Sequence, residues 1–341
     1  MAVIKVENLR KRFNLEAGFF ARFGRFVYAV NGVSFSIGEN ETYGLVGESG
    51  CGKTTTARLL VRMYESDGGS ILYHDHSDVR LLKRGELKNY REKVKYVFQD
   101  PARSLNPRMD VYDVLTSGYR WSSIWPGEKK ARKEAADILE ETGLSAADLE
   151  RRPAEFSGGQ RQRISIARGL LMKPDLLICD EVVSALDVSI QGQILNLLLD
   201  IRSRRNLSFL FIAHDLKAAS YFCDRIGVMY RGELMEEAPA ADLYQTARHP
   251  YTRLLFSSVA GPVGEESGLS EGSGGEAAPA REIPETLKGE IRTPVTEISG
   301  CAFAERCPLA DDRCRKEPPP ETTAADAAGV EKGHVFYCWK A

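Results

Sequence analysis

Residues Tyr43–Gly47 read YGLVG, and the chain continues ESGCGKTTTARLLVRMY. A short apolar run that breaks into glycines and resumes with helical spacing describes a buried strand, a tight loop and a helix. GESGCGKT, Gly47 to Thr54, fits the P-loop pattern in the strand-to-helix context that the pattern requires. In such a loop successive backbone N–H groups wrap the β-phosphate of a nucleotide, and the helix dipole adds favourable potential. Lys53 is spaced to reach the β- and γ-phosphates, and the Thr54 hydroxyl to ligate Mg²⁺. A glycine-rich turn with an incidental lysine would need neither this spacing nor these flanks.

The rest of the pattern extends the α/β reading. IKVENL and AVNGVSFSI alternate apolar and polar positions, as antiparallel strands with one buried face do. KVKYVFQD, DLLICDE and LSFLFIAHD are apolar, β-rich runs, the last two separated by a helical stretch from Ile190 to Ser203. That alternation predicts a parallel sheet with helices packed on it. The stretch from about Val111 to Leu170 is mostly helical in pattern, and GVMYRGELMEEA reads as a hairpin turning at Arg231-Gly232. Composition shifts near Ala260 to Gly, Ser and Glu, which cannot bury a core. The expected organisation is therefore a nucleotide-binding domain over 1–258 with a helical subdomain at about 101–165. A flexible linker over 259–292 and a cysteine-bearing module over 293–341 complete it.

Charge narrows the functions. The chain has 46 basic and 48 acidic residues among 341, so no basic field argues for nucleic acid. No run approaches the eighteen apolar residues of a membrane span, and the N-terminus turns charged before a signal-like region could form. The expectation is a cytosolic protein whose seven cysteines stay reduced, so that a cysteine cluster is a metal candidate before it is a disulfide framework.

Two further stretches carry chemistry. LLICDE puts Asp180 and Glu181 at the end of an apolar strand. Beside a P-loop, Asp180 can hold hydrated Mg²⁺, and Glu181 can orient or deprotonate a water for in-line attack. FSGGQRQR, Phe156 to Arg163, reads as a second phosphate-facing helix start: a Ser157 cap, then Gly158 and Gly159 with no side chain in the way. One chain thus holds two phosphate-facing helix starts and one nucleotide-binding lysine.

GESGCGKT, Gln99, FSGGQ, ICDE, SALD (Ser184 to Asp187) and His214 occur in the order and spacing of the ATP-binding subunits of ABC transporters, which residues 3–258 resemble. The resemblance implies a P-loop NTPase fold of the ABC type, with an antiparallel β subdomain and a helical subdomain. It implies ATP contacts from Gly47, Glu48, Ser49, Gly50, Cys51, Gly52, Lys53, Thr54 and Thr55. Phe13 would stack on adenine, with Phe19, Phe20 and Tyr28 close by as alternatives. Mg²⁺ would be held by Thr54, Gln99 and Asp180, and catalysis would rest on Glu181, His214 and Gln99. In this family two such domains stack head to tail, so Ser157, Gly158, Gly159 and Gln160 would serve the ATP of the other subunit. Ser184, Ala185, Leu186 and Asp187 would sit at the seam.

FQDPARSLNPRM, DEVVSALDVSIQGQILNLL, HPYTRLLFSSV and GCAFAERCPLADDRC are similar to the dipeptide and oligopeptide importer subfamily, which also includes transporters of nickel, glutathione and some oligosaccharides. The partners implied are a second ATPase subunit, identical or related, two transmembrane permeases and, through them, an extracytoplasmic solute-binding protein, with no nucleic acid. The place implied is the cytoplasmic face of the membrane. The rival class is a soluble ABC ATPase acting on nucleic acid, ribosomes or iron–sulfur assembly. HPYT reads as a proline-initiated helix start joining the domain to its tail, without a ligand role.

Cys301, Cys307, Cys314 and Cys338 are separated by five, six and 23 residues, spacings that suit neither structural zinc nor the ferredoxin runs. The resemblance implies a [4Fe–4S] cluster, with zinc or unmetallated thiols as the alternatives. Cys51 reads as a spectator in the P-loop, and Cys179 and Cys223 as core. His74 and His76 in YHDHSD read as a solvated hairpin rather than a metal site.

Overall fold

The computed structural model describes residues 1–15, 26–259, 298–325 and 331–341. The expected linker, all but Val259, lies outside the described residues, as do Phe19 and Phe20.

The first sheet is antiparallel. β1 (Ala2–Asn14) pairs with β2 (Phe26–Gly38) and with β4 (Gly68–Tyr73), and β4 turns into β5 (Ser77–Asp78). His74 and Asp75 occupy the turn with left-handed backbone; His76 is exposed as expected of a solvated hairpin, whereas His74 is half-buried with Nε2 3.6 Å from Asp175 Oδ2.

The second sheet is built on β3 (Thr42–Val46), β6 (Val94–Val97), β7 (Leu176–Asp180) and β8 (Ser208–Ala213), all parallel in the order β3-β8-β7-β6. Both faces are buried, and strand periodicity assigns them. Leu177, Cys179, Phe209 and Phe211 enter the core under the helices, whereas Leu176, Ile178, Leu210 and Ile212 enter the core shared with the antiparallel sheet. β9 (Arg225–Tyr230) adds to β3 in parallel, and β10 (Glu233–Pro239) returns antiparallel. Arg231 (φ 44°) and Gly232 (φ 87°) form the hairpin turn expected there.

The helices are α1 (Lys53–Leu60), α2 (Arg84–Lys93), the short α3 (Pro101–Ser104), α4 (Val111–Thr116), α5 (Glu128–Glu141), α6 (Gly158–Leu170), α7 (Val188–Arg205), α8 (Leu216–Phe222), α9 (Ala240–Thr246), α10 (Pro250–Val259) and α11 (Asp312–Lys316). α5 buries Ala131, Ala135, Ile138 and Leu139, one stripe at helical spacing, against the core that α4 and α6 share. Among the described residues no helix is long and apolar enough to cross a membrane.

The cysteine-bearing tail does not stand free of the catalytic sheet. β11 (Glu321–Ala325) and β12 (Glu331–Tyr337) continue it, with β12 pairing to β10 through Glu236↔Phe336 and Glu237↔Val335. A segment this small buries too little apolar surface alone, and the exposed edge of β10 offers it a template. The HPYT segment lies beneath that junction: His249, Tyr251 and Thr252 are each no more than 1% exposed. Glu236, fully buried, accepts the amides of Arg248 (2.6 Å) and His249 (3.0 Å) and lies 2.6 Å from His334 Nε2. Burial alone would raise its pKa. The bonds from His334 and from the two amides outweigh burial and hold it below the ordinary 4.5.

Glu236→Ala should therefore cost about 3–5 kcal/mol by stranding these donors. The expected result is a thermal midpoint lower by several degrees and faster proteolytic release of the tail. In the parent chain a depressed carboxyl stabilises the fold above its unfolded pKa. That share is lost as pH falls through the folded value, so tail release should be faster in acid than at neutral pH. Unchanged release at either pH would take Glu236 out of the junction.

Candidate nucleotide site

Four parallel neighbours end at the same edge of the sheet, and each delivers one piece of the site. β3 runs into the P-loop, β8 into His214, β7 into Asp180-Glu181, and β6 by way of Phe98 into Gln99. Ligands of open α/β sheets bind at this carboxyl edge.

The P-loop is shaped by close backbone approach. Gly52 has φ 112°, and a Cβ there would stand 2.2 Å from the carbonyl oxygen of Ala29 in β2, so only glycine lets the loop pass under that strand. Lys53, 3% exposed, folds back over the loop and donates to the Gly47 and Glu48 carbonyls at 2.8 and 3.0 Å. Its charge is thus solvated by the loop itself, and a bound phosphate would replace those carbonyls with a stronger, anionic partner. Cys51 is buried with its Sγ 3.7 Å from Lys53 Nζ, and burial raises its thiol pKa against the pull of that ammonium. Ser49 and Gly50 form the exposed lip, and Thr55 follows half-buried in α1.

Thr54 Oγ1 donates to Asp180 Oδ1 at 3.0 Å, and the Tyr96 hydroxyl donates to Asp180 Oδ2 at 2.5 Å. A hydroxyl and a carboxylate brought together at the phosphate end are hard oxygen donors and suit Mg²⁺. When bound, that ion neutralises charge on the β- and γ-phosphate oxygens. Tyr96 is a residue that sequence reasoning missed. Only its alternate position on β6, facing β7, could have marked it.

Glu181 has left-handed backbone, φ 49°, an uncommon state for a residue with a side chain. It is held there by its own N–H to the Ile212 carbonyl (3.0 Å) and by the Ser184 hydroxyl on its carbonyl (2.9 Å). Strain fixed in this way is typical of a residue whose direction matters. Gln99 Nε2 donates to Glu181 Oε2 at 2.7 Å. Gln99, expected beside Mg²⁺, is thus tied to the carboxylate that would orient water rather than to Thr54 or Asp180. His214 is exposed just beyond β8.

Phe13 is half-buried in β1, opposite Val27 and edge-on to Tyr64 at 5.3 Å. Two residues after Val27, the Ala29 carbonyl abuts Gly52, so this part of β2 lies against the P-loop.

Ser157 caps α6 in a reciprocal box, accepting from Gln160 N (3.3 Å) and donating its amide to Gln160 Oε1 (2.9 Å). The S-x-x-Q spacing carries that signal. A Cβ on Gly159 would stand 2.7 Å from Ile190, so glycine lets α6 approach α7. Gly158 faces Leu186. Ala185 and Asp187 are exposed beside them. No hydrogen bond joins Ser157 or Gln160 to Lys53, Thr54, Asp180 or Glu181 within the chain.

The four terminal cysteines approach one another, but the four-thiolate centre expected from the sequence is not assembled. Among the described residues no group of three or more His, Cys, Asp or Glu is gathered closely enough to hold a metal ion. Burial pushes the Cys301 thiol up to about 12 and raises Cys307 and Cys338.

Comparison with known proteins gives two family matches: ABC transporter over residues 30–184, and oligopeptide/dipeptide transporter, C-terminal region, over residues 235–314. The chain is 42% identical to a "probable peptide ABC transporter ATP-binding protein" of Sinorhizobium fredii, over 96% of this chain and 89% of that one. It is 39% identical to the oligopeptide transport ATP-binding protein AppF of Bacillus subtilis, over 95% and 94%. Among solved structures, a dimeric post-hydrolysis ATP-binding cassette bound to ADP and phosphate matches at TM-score 0.59 and 26% identity, over 70% of this chain and 98% of that one.

Glu181→Gln should leave ATP binding within about threefold and lower phosphate release by at least about 100-fold, because the water loses its orienting base. Nucleotide binding and phosphate release measured on the same preparation separate the two. Near-normal turnover would move the role to another group, with His214 next in line.

Proposed function

This chain belongs to the ABC transporter ATP-binding family, and from that premise we propose that it drives import of peptides as one of two paired ATPase subunits. The observation that carries the reading is the division of the site. The P-loop and the serine-capped start of α6 are both phosphate-facing, yet nothing bonds one to the other within the chain. Ser157 is exposed, and between the bonded amides of Ser157 and Gln160 the Gly158 and Gly159 amides begin α6 with no side chain in the way of an anion. Two chains stacked head to tail would give each ATP one P-loop and one opposing helix start. The dimeric state of the solved cassette with ADP and phosphate supports this. ATP then acts as the adhesive of the closed dimer, and its hydrolysis, with Glu181 orienting water, releases that closure.

The membrane partner is read from a groove of about 640 Å³ between α2 and the helical subdomain. Arg84, Lys88, Arg91 and Lys95 rim it, and Trp121 is 78% exposed at its edge. A protruding loop of a permease with apolar and acidic side chains fits such a surface. Peptide as cargo rests on the relatives' descriptions, with nickel, glutathione and oligosaccharides as the other solutes of the subfamily. Cargo would reach the permeases from an extracytoplasmic binding protein, with this subunit on the cytoplasmic face. A net formal charge of −2 gives no support to nucleic acid as the partner.

A second reading concerns the tail, as a 293–341 unit held by a soft-metal centre of [4Fe–4S] type. The amides of Phe303, Leu309 and Lys340 each lie two residues beyond a cysteine and donate to the sulfur of Cys301, Cys307 and Cys338 respectively. Such bonds stabilise a thiolate, and three in the same register suit a thiolate ligand set completed by Cys314. When bound, the centre would supply structural crosslinks. Anaerobic preparation followed by elemental analysis should find iron near four atoms per chain. Zinc alone would exchange the metal, and neither element would leave free thiols.

In dimers joining one Ser157→Arg subunit to an unmodified partner, photolabelling with azido-ATP should fall by at least about tenfold at the partner's P-loop and persist at the variant's own. A defect confined to the variant's own P-loop would overturn the shared-site reading.

A further inference from the structure

We propose that the loop bounded by Cys301 and Cys307 clamps the outer face of the P-loop, and that Arg306 is a positioning residue for nucleotide binding. The inner face of a P-loop must stay free for phosphate, so whatever fixes its shape has to grip it from outside. Three groups do so. Gly232 N, at the β9–β10 turn, donates to the Cys51 carbonyl at 2.8 Å. The Tyr251 hydroxyl, from the HPYT helix, accepts the Glu48 N–H at 3.0 Å. Arg306 Nη1 donates to both carboxylate oxygens of Glu48 at 3.1 Å and to the Tyr230 hydroxyl at 3.3 Å.

The arginine is itself held in place. Its guanidinium lies 5.7 Å from the centroid of the Tyr230 ring. Tyr230, Tyr251 and Phe303 pack against one another with centroids 4.7 to 5.3 Å apart. Phe303 and Arg306 both belong to the Cys301–Cys307 loop. The neighbouring Glu305 pairs with Arg231 at 2.6 Å, gripping the same hairpin turn that supports Cys51. HPYT thus has a physical task besides joining domain to tail, since its tyrosine holds a P-loop amide.

The choice of charges explains why an arginine stands here. Glu48 occupies a position that the P-loop pattern leaves open, and a carboxylate turned inward would repel a polyphosphate. Arg306 turns it outward and neutralises it. With the side chains of Arg306 and Glu48 only 17% and 27% exposed, the pair is screened less than a surface ion pair. Losing the guanidinium would loosen the loop and leave an uncompensated negative charge beside the phosphate site. Neither effect reaches Glu181 or the attacking water, so the loss falls on ATP binding and not on the chemical step.

The inference rests on ATP binding at the P-loop and not on the transport reading. Its test is equilibrium dialysis of radiolabelled ATP with excess Mg²⁺ against the full-length chain, alongside steady-state ATPase kinetics. Arg306→Gln should weaken ATP binding and raise KM about five- to tenfold, with kcat within about twofold and an unchanged thermal midpoint. Arg306→Lys should recover part of the loss. Adding Glu48→Gln to Arg306→Gln should also recover part of it, because the stranded charge is gone. Unchanged affinity in Arg306→Gln, fully multiplicative losses in the double variant, or a loss that tracks a lowered midpoint with no recovery by lysine would each overturn the proposal. A Lys53→Ala control that still bound ATP would instead indict the nucleotide site itself.

Discussion

The constraint on which the structure depends is that a phosphate cradle made of backbone amides has no rigidity of its own. The N–H groups that take the anion must be left unpaired, so bonds within the loop can fix only part of its shape. Everything around Gly47–Thr54 answers that need. β3 feeds the loop from the buried interior of the sheet, and the Ala29 carbonyl presses against Gly52. Gly232, itself against Ala29, bonds the Cys51 carbonyl, and Tyr251 and Arg306 hold Glu48. Lys53 occupies the mouth by bonding the loop's own carbonyls.

The second consequence is chemical. Four parallel strands end together, and their edge assembles oxygen donors, a strained glutamate and its amide partner without a long loop. Yet the groups that would close over a γ-phosphate from the far side are absent from this cluster. On the proposed reading they stand at the head of α6, where Ser157 is exposed and capped by Gln160. A half-site of this kind turns nucleotide binding into an association reaction, which is what a machine that does work on a membrane partner requires.

The sequence made the nucleotide edge legible because phosphate chemistry permits few alternatives. GESGCGKT, the two carboxylates of ICDE and the serine-glycine helix start each have a local signal. The apolar runs DLLICDE and LSFLFIAHD were legible as the buried strands β7 and β8. What stayed hidden was non-local. Nothing near Glu236 in the chain announces that His334 completes its hydrogen bonds, or that β12 pairs with β10. Arg306 and Glu48 are 258 residues apart, and Tyr251 looked like a family marker because its partner is a backbone amide. Gln99 was read both as a metal neighbour and as a catalytic group, and its bond to Glu181 is a side-chain direction that sequence order does not give. The cysteines were read by ligand chemistry alone, and among the described residues no group of three or more His, Cys, Asp or Glu is gathered closely enough to hold a metal ion.

The account turns on a nucleotide pocket finished by a neighbouring subunit. Its most direct measurement is ATP turnover per chain over a dilution series, with the association state followed by sedimentation in the same buffer. Specific activity should fall in step with the dimer fraction and vanish when the chain is alone. Full turnover from chains that sediment as monomers at every dilution would contradict it.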